Sequence, residues 1–223
     1  MNKFESCILD LKGPQNAPQT FSDFVYIITS IQTWNHPRHE LEKLTKNYTT
    51  NELSIAIPKI YEILQSEMLL NKFSINGNDL LGSLYERLFL TNEDNRMMTW
   101  NQCRNLKKFP RGINKIKSKL AFLDVGCRSG RIILSETPES KSNIIYIGIE
   151  YDLLLAQICA LNLLISGFQN SEVILVDRNT YEFRGCYKVK PCEHKNLEWV
   201  HDVHLVTGWQ GYQHYLMVKG LVR

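Results

Sequence analysis

The sequence predicts a mixed α/β fold in which helices precede a parallel sheet. In the N-terminal half, apolar side chains recur at three- and four-residue spacing, as in Phe21, Phe24 and Ile28. From Leu120 onward, short apolar runs alternate with turns and with one longer apolar segment. Strand, helix and strand at this spacing are typical of a βαβ unit. The chain therefore divides into a helical region with a basic linker, residues 1–118, and an α/β domain, residues 119–223.

Three helices are predicted before the linker, at about residues 20–34, 51–71 and 80–90. Thr20 or Ser22 is expected to cap the first, and Pro37 to stop it, since the residue before a proline avoids helical backbone. Asp79 is expected to cap the third helix.

Four strands are predicted after the linker: Leu120–Val125, Ile144–Ile149, Val173–Val176 and His204–Val206. A helix from Leu153 to Ser166 connects the second strand to the third. A short helical turn is expected at Arg131–Leu134.

Composition sets broad limits on function. The 223 residues are 43% apolar and 22% charged, which are globular proportions and exclude global disorder. The net charge of +3 is too small to demonstrate a nucleic-acid partner by itself. No segment has the length and apolar character of a membrane span or a secretory signal. The six cysteines form no dense framework, which favours a reduced, cytoplasmic protein.

The linker carries a basic strip. Residues 101–119 contain seven lysines and arginines and no acidic residue, and Lys107, Lys108 and Arg111 form its centre. Such a run either is solvated surface or contacts phosphates, which lysine and arginine do without sequence preference.

The most informative motif is Asp124-Val-Gly-Cys-Arg-Ser-Gly130, which follows the first predicted strand. A strand that ends in a glycine turn brings backbone N–H groups near a nucleotide-like ligand. Glu150 ends the next strand, at the spacing where an acidic residue accepts hydrogen bonds from ribose hydroxyls, and Asp177 ends the third. The alternative is that Asp124, Glu150 and Asp177 are turn formers and helix caps.

Three segments together resemble the S-adenosylmethionine-dependent methyltransferases. They are Leu123-Asp-Val-Gly-Cys-Arg-Ser-Gly130, Tyr146-Ile-Gly-Ile-Glu-Tyr-Asp152 and Ala160-Leu-Asn-Leu-Leu-Ile-Ser-Gly167. Within that superfamily they are most similar to N6-adenine DNA methyltransferases, such as the modification subunits of type I restriction systems. Asp79-Leu-Leu-Gly-Ser-Leu-Tyr-Glu86 also resembles the segment that precedes the catalytic domain in those enzymes.

The resemblance implies a Rossmann-like sheet, S-adenosylmethionine as cofactor and DNA as partner. It implies that Asp124, Gly126 and Gly130 hold the methionine end of the cofactor and that Glu150 binds the ribose hydroxyls. It places Asp177 near the adenine ring, with Arg178 beside it.

The sequence departs from the family in four respects, one of which is Arg96-Met-Met-Thr-Trp100, only partly similar to the glycine-rich stretch that the family carries before its catalytic domain. Arg128 stands where the family has a glycine. The family's catalytic Asp/Asn-Pro-Pro-Phe/Tyr motif has no counterpart near residue 209, so the catalytic candidates are Trp209 and Tyr212, which can stack on a flipped base, and the Gln210 amide. The four recognisable strands compare with seven in a complete methyltransferase sheet, so we expect an incomplete sheet.

These observations predict a methyltransferase-like protein that either methylates adenine N6 in DNA or is a degenerate relative. The alternative is an inactive protein of the same fold that binds nucleic acid or serves as a partner subunit. A cluster near the C-terminus contains the residue types that bind zinc, but its spacing is irregular and we expect no metal there. Its members are Cys186, Cys192, His194, His201 and His204.

Overall fold

A computed structural model gives the structure of the chain over residues 6, 16–34, 36–73, 79–90, 114–116, 119–135, 144–168, 171–180, 182–189 and 197–201. The helices are α1 (Ala17–Gln32), α2 (Arg38–Thr45), α3 (Thr50–Phe73), α4 (Leu80–Phe89), α5 (Arg131–Leu134) and α6 (Leu153–Ile165). The strands are β1 (Thr33–Trp34), β2 (Asn114–Ile116), β3 (Lys119–Val125), β4 (Ile144–Glu150), β5 (Ser171–Val176), β6 (Phe183–Val189) and β7 (Leu197–His201).

The strands form one open sheet in the order β1-β7-β6-β5-β4-β3-β2. The central strands β3, β4 and β5 are parallel, and β1 is parallel to β7. The pairs β2–β3, β5–β6 and β6–β7 are antiparallel. The mixed α/β class is confirmed, but the count of four strands is wrong, because the described residues alone contain seven. The predicted strand His204–Val206 lies outside those residues.

Helix α6 joins the N-terminal helices to the sheet. It packs against α1, α3 and α4 on one side and against β4, β5 and β6 on the other. Its residues are apolar on nearly all sides, as expected for a helix buried between two layers. The N-terminal helices and the sheet consequently share one hydrophobic core, which includes Phe21, Phe24, Ile60, Tyr146 and Tyr187.

A second apolar cluster lies on the opposite face of the sheet. Successive side chains of a strand point to opposite faces, so Val173 joins the main core while Ile174 and Val176 join this cluster. Ile149 and Phe183 complete it. The sheet is therefore apolar on both faces.

Helix α1 begins earlier than the sequence suggested. Its cap is Asn16, whose side chain accepts a hydrogen bond from the N–H of Gln19 at 3.0 Å, with Pro18 in the first turn. The predicted caps are wrong, and Thr20 instead lies buried inside the helix. The helix ends at Gln32 because the next two residues form β1.

Helix α3 begins with a capping box. The N–H of Thr49 donates to Glu52 at 2.7 Å, and the N–H of Glu52 donates back to the Thr49 hydroxyl at 3.2 Å. Hydrogen bonds from Thr49 lower the pKa of the Glu52 carboxyl. The helix continues through Pro58.

Helix α4 confirms the sequence interpretation. Asp79 is its N-cap and accepts a hydrogen bond from the N–H of Gly82 at 2.9 Å. Leu81 and Leu84 are buried in the core. Among the described helices, none combines the length and apolar character that crossing a membrane requires.

Candidate functional site

A glycine turn, residues 124–130, closes the carboxyl end of β3. Three of its residues have left-handed backbone: Gly126 with φ 72°, Arg128 with φ 50° and Gly130 with φ 80°. Glycine adopts this conformation without a steric cost, whereas the Cβ atom of arginine makes it unfavourable. The turn therefore reverses the chain sharply between β3 and α5.

Backbone hydrogen bonds hold the glycine turn against the end of β4. The N–H groups of Gly126 and Cys127 both donate to the carbonyl oxygen of Ile149, at 2.8 and 3.0 Å. The N–H of Gly130 donates to the carbonyl of Cys127 at 2.8 Å. These bonds hold the carboxyl end of β3 against the carboxyl end of β4. Open α/β folds bind ligands at the carboxyl ends of their strands.

Glu150, the predicted ribose ligand, belongs to this same arrangement. Its carboxylate accepts hydrogen bonds from the N–H groups of Arg128 at 2.6 Å, Tyr151 at 2.7 Å and Asp152 at 3.2 Å. The residue is only 3% exposed. A carboxylate has about four lone-pair positions, and these described N–H groups use three of them. Two of these bonds go to Oε1 and one goes to Oε2.

Asp124 is the first residue of the glycine turn and lies at the end of β3. Its carboxylate accepts a hydrogen bond from the hydroxyl of Tyr146 at 3.1 Å, and both residues are buried. Burial, together with the charge of Asp124, raises the pKa of Tyr146 well above its usual value. Tyr146 therefore remains a neutral hydrogen-bond donor to the aspartate.

Asp177 lies beyond the end of β5, next to β4 in the sheet. Its carboxylate accepts hydrogen bonds from the N–H groups of Asn179 and Thr180 and from Arg184. These interactions, the two backbone bonds first, lower its pKa to about 2. Arg178 follows it, with its guanidinium 5.8 Å from the ring centre of Tyr151.

A buried ionic network joins helix α4 to the glycine turn. Its centre is Asp79, which is 1% exposed. One carboxylate oxygen accepts from the hydroxyl of Ser129 at 2.7 Å and from Nε of Arg131 at 2.8 Å. The other accepts from the amide of Asn162 at 2.8 Å, in addition to the N–H of Gly82. Three elements therefore meet at one carboxylate.

Arg131 extends the network along α4. Its second terminal nitrogen, Nη2, lies 3.0 Å from the carboxylate of Glu86, which is seven residues after Asp79 and therefore on the same side of the helix. Burial lowers the pKa of the guanidinium, but the charges of Asp79 and Glu86 outweigh that effect, so the pKa is raised overall. Asn162 also donates to the carbonyl of Ser129 at 3.0 Å. The network therefore holds Ser129, in the second half of the glycine turn, through both its hydroxyl and its carbonyl oxygen.

Two buried thiols lie close together, that of Cys127 in the glycine turn and that of Cys159 on α6. The sulfurs of Cys127 and Cys159 lie 3.8 Å apart, and both residues are free cysteines. The hydrogen bond to Cys159, followed by burial, raises the pKa of the Cys127 thiol. A Cβ on Gly130 would lie 2.9 Å from the sulfur of Cys159, so this glycine is required for close packing as well as for its backbone conformation.

The structure brings most of the predicted cofactor residues together. Asp124, Gly126, Gly130 and Glu150 lie within the glycine turn and the strand end beside it, and Asp177 ends the neighbouring strand. The catalytic candidates and the centre of the basic strip lie outside the described residues, whereas Lys115 and Lys119 of the strip belong to β2 and β3. Those outside are Trp209, Gln210, Tyr212, Lys107, Lys108 and Arg111.

Among the described residues, no group of histidine, cysteine, aspartate and glutamate side chains is arranged to hold a metal. Three members of the cysteine and histidine cluster, Cys192, His194 and His204, lie outside that part of the chain.

Sequence reasoning assigned no role to the members of the buried network. Asp79 was expected only to cap a helix, and Ser129, Arg131 and Asn162 were only parts of longer motifs. Their contacts span fifty residues or more along the chain, so spacing carries no signal for them. An arginine immediately after a glycine turn and an asparagine inside an apolar helix were the only hints.

Comparison with known proteins gives no relative for this chain: no family model, no curated protein and no solved structure matches it.

Proposed function

We propose that this chain is a methyltransferase-like protein that binds S-adenosylmethionine at the carboxyl ends of β3 and β4 and acts on adenine N6 in DNA. The observation that carries the proposal is the glycine turn, with left-handed Gly126 and Gly130, bonded to the end of the adjacent parallel strand. The Rossmann-like character of the sheet is part of this proposal. The three parallel strands β3, β4 and β5 support it.

The residues at this edge fit an adenosine cofactor. Among the described atoms, none lies within 4 Å of the position that a Cβ on Gly126 would occupy, so the backbone is open to close approach there. Oε2 of Glu150, which accepts one of the three described bonds, is the proposed acceptor for a ribose hydroxyl. The half-buried ring of Tyr151 follows it directly and offers an aromatic face.

The chain's own contribution to transfer would be positioning. When bound, the cofactor supplies an electrophilic methyl group. The buried network and the bonds to Ile149 hold the glycine turn rigid, so the ligand is oriented by backbone that does not move. Trp209, Gln210 and Tyr212 remain the predicted residues for holding the target base, and the strip around Lys107 remains the predicted phosphate contact.

Titration calorimetry with S-adenosylmethionine and S-adenosylhomocysteine tests the proposal. We expect micromolar binding of both ligands. Glu150→Ala should weaken binding by roughly 1–3 kcal/mol, the usual cost of removing a partner from a polar contact. Glu42→Ala, on the exposed surface of α2, is the matched control and should bind normally. Absence of binding at millimolar ligand overturns the proposal.

A second candidate is an inactive protein of the same fold that binds nucleic acid or completes a partner enzyme. The hydrogen bonds of Glu150 and Asp177 favour it, because backbone N–H groups use most of the acceptor positions that a cofactor would need.

DNA binding without methylation would support this second candidate. Replacing Lys107, Lys108 and Arg111 with glutamine should then reduce the salt dependence of DNA binding. The log–log slope should fall by about 0.9 for each phosphate that the protein no longer neutralises. Transfer of labelled methyl groups to DNA would exclude this candidate.

A further inference from the structure

Asp79 has a hydrogen-bond donor for each acceptor position of its carboxylate. One oxygen accepts from the N–H of Gly82 at 2.9 Å and from the amide of Asn162 at 2.8 Å. The other accepts from the hydroxyl of Ser129 at 2.7 Å and from Nε of Arg131 at 2.8 Å. These four bonds match the roughly four lone-pair positions of a carboxylate. Since the residue is also buried, Asp79 is not itself a contact for a ligand.

Capping of α4 accounts for only one of these four bonds. The cap is the bond to Gly82, which an uncharged serine or asparagine makes as well as an aspartate does. The other three bonds join Asp79 to the glycine turn, to Arg131 after it and to α6. A buried carboxylate is costly unless it is paired with a charge and hydrogen-bonded. The charge and the burial of Asp79 are therefore explained by its contacts beyond α4.

Ser129 is held within the glycine turn through both of its oxygen atoms. Its hydroxyl donates to Asp79, and its carbonyl oxygen accepts from Asn162 at 3.0 Å. The amide nitrogen of Asn162 donates to Asp79 as well, so the three residues form a closed ring of hydrogen bonds. Gly130 follows directly, with left-handed backbone and an N–H that donates to Cys127. A displacement of Ser129 would therefore move the backbone at the proposed ligand site.

We infer that Asp79 is a positioning residue of the ligand site, which sets the affinity of the glycine turn through Ser129 and Arg131 without touching the ligand. The inference rests on the proposed function, because it concerns the ligand of the same turn. Helix α4 is capped by Asp79 and contains Glu86, the second acidic partner of Arg131. The N-terminal helical region therefore belongs to the binding site, and the α/β domain alone is an incomplete one.

Asp79→Asn tests the inference against a purely structural role. The asparagine fills the same volume but removes the charge and two acceptor positions. Asp23→Asn is the matched control, because Asp23 on α1 is also buried and also accepts two side-chain hydrogen bonds, from Gln19 and Tyr48. In calorimetry with S-adenosylhomocysteine we expect at least tenfold weaker binding in Asp79→Asn and less than a threefold change in Asp23→Asn. Misplacement of a binding group by about 1 Å can cost a hundredfold.

Ser129→Ala is a milder variant, which keeps Asp79 and removes only the hydroxyl that donates to it. We expect at least fivefold weaker binding, and thermal melting confirms that each variant is folded. A double-mutant cycle then identifies the route, because changes within one hydrogen-bond network are not additive. The double variant should bind within twofold of Asp79→Asn. Losses that multiply would show that Asp79 and Ser129 act independently and would overturn the inference.

Hydrogen exchange without ligand tests the same contact in a second way. The N–H groups of Gly126, Cys127 and Gly130 should exchange at least tenfold faster in Asp79→Asn than in Asp23→Asn, because their bonds close the turn. Labelling is kept short enough that β5 and β6 remain protected, so that exchange reports local opening rather than global unfolding. Equal exchange in the two variants would overturn the inference.

Normal binding by Asp79→Asn, or an equal loss in Asp23→Asn, would also overturn the inference and leave the proposed ligand site standing. If the unaltered chain binds neither S-adenosylmethionine nor S-adenosylhomocysteine, the proposed function fails and the inference fails with it.

Discussion

The guanidinium of Arg131 donates to the carboxylate of Asp79 across 2.8 Å, although the two residues belong to elements far apart in the chain. Asp79 caps α4, and Arg131 is the first residue after the glycine turn. The side chains of both are nearly inaccessible to solvent. Their contact makes the N-terminal helical region a structural support of the candidate site.

Asp79→Asn should destabilise the fold by about 3 kcal/mol, because it removes the negative charge that lies 2.8 Å from the buried guanidinium of Arg131. In either orientation, the NH2 group of the new amide would face two donors where the carboxylate had an acceptor: Ser129 and Arg131, or Gly82 and Asn162. Urea unfolding measures the decrease in stability. Glu42→Gln, on exposed α2, is the control and should change stability by less than about 0.5 kcal/mol. A decrease below about 1 kcal/mol in Asp79→Asn would show that the pair contributes little.

Gly82→Ala should destabilise α4 although alanine is the better helix former by about 1 kcal/mol. An added Cβ would collide with both carboxylate oxygens of Asp79 and with Cβ of Ser129. Overpacking of this kind costs roughly 1–3 kcal/mol. Ser83→Ala, at the next and exposed position of the same helix, should be neutral or slightly stabilising. Equal behaviour of the two variants in urea unfolding would contradict the close contact.

Arg128→Gly should stabilise the chain. Relief of the left-handed conformation gains about 1–2 kcal/mol, and the extra freedom of glycine in the unfolded chain offsets roughly half of it. The expected net gain is about 0.5–1 kcal/mol, or roughly 2 °C in melting temperature. Ser83→Gly, an ordinary helical position, should instead lose about 0.5–1 kcal/mol. Destabilisation by Arg128→Gly would mean that the arginine side chain serves the fold.

Asp177 should make stability depend on acidic pH. Its pKa falls from 3.8 to about 2 on folding, so its contribution is present above pH 3.8 and is lost as the pH falls toward 2. The melting temperature of Asp177→Asn should be lower than that of the unaltered chain at neutral pH, and the difference should shrink between these two values. Ser83→Ala, an exposed and non-titrating position on α4, is the control and should melt in parallel with the unaltered chain over this pH range. A difference that is constant down to pH 2 would refute the role of the ionised carboxylate.

Local signals located most of the central fold. Apolar runs gave β3, β4, β5 and α6 to within two residues, because each is buried and bounded by turn or cap residues. The strand β6 was missed because its pattern is irregular: Phe183 is buried and Arg184 exposed, but Gly185, Cys186 and Tyr187 are all buried. The strand β1 has two residues and exists only because β7 pairs with it, so no local pattern announces it.

The candidate site was predictable in part. The glycine pattern and the acidic residues at successive strand ends located the turn and its neighbours correctly. The sequence does not show that backbone N–H groups surround the Glu150 carboxylate, since this depends on how Arg128 and Tyr151 fold around it. The network around Asp79 was equally hidden, because it arises when distant helices pack together.

Among the described strands, the two outermost in the sheet are very short, β1 with two residues and β2 with three. An edge strand presents unpaired backbone groups to which a strand of another molecule can add. One of these outermost strands is β1, which follows α1 and pairs with β7. Before β1 pairs with β7, the outer side of β7 presents unpaired backbone N–H and C=O groups. Since β1 follows directly from α1 and pairs with Leu197 and Glu198, the docking of the N-terminal helices covers backbone groups of β7 to which another strand could otherwise add.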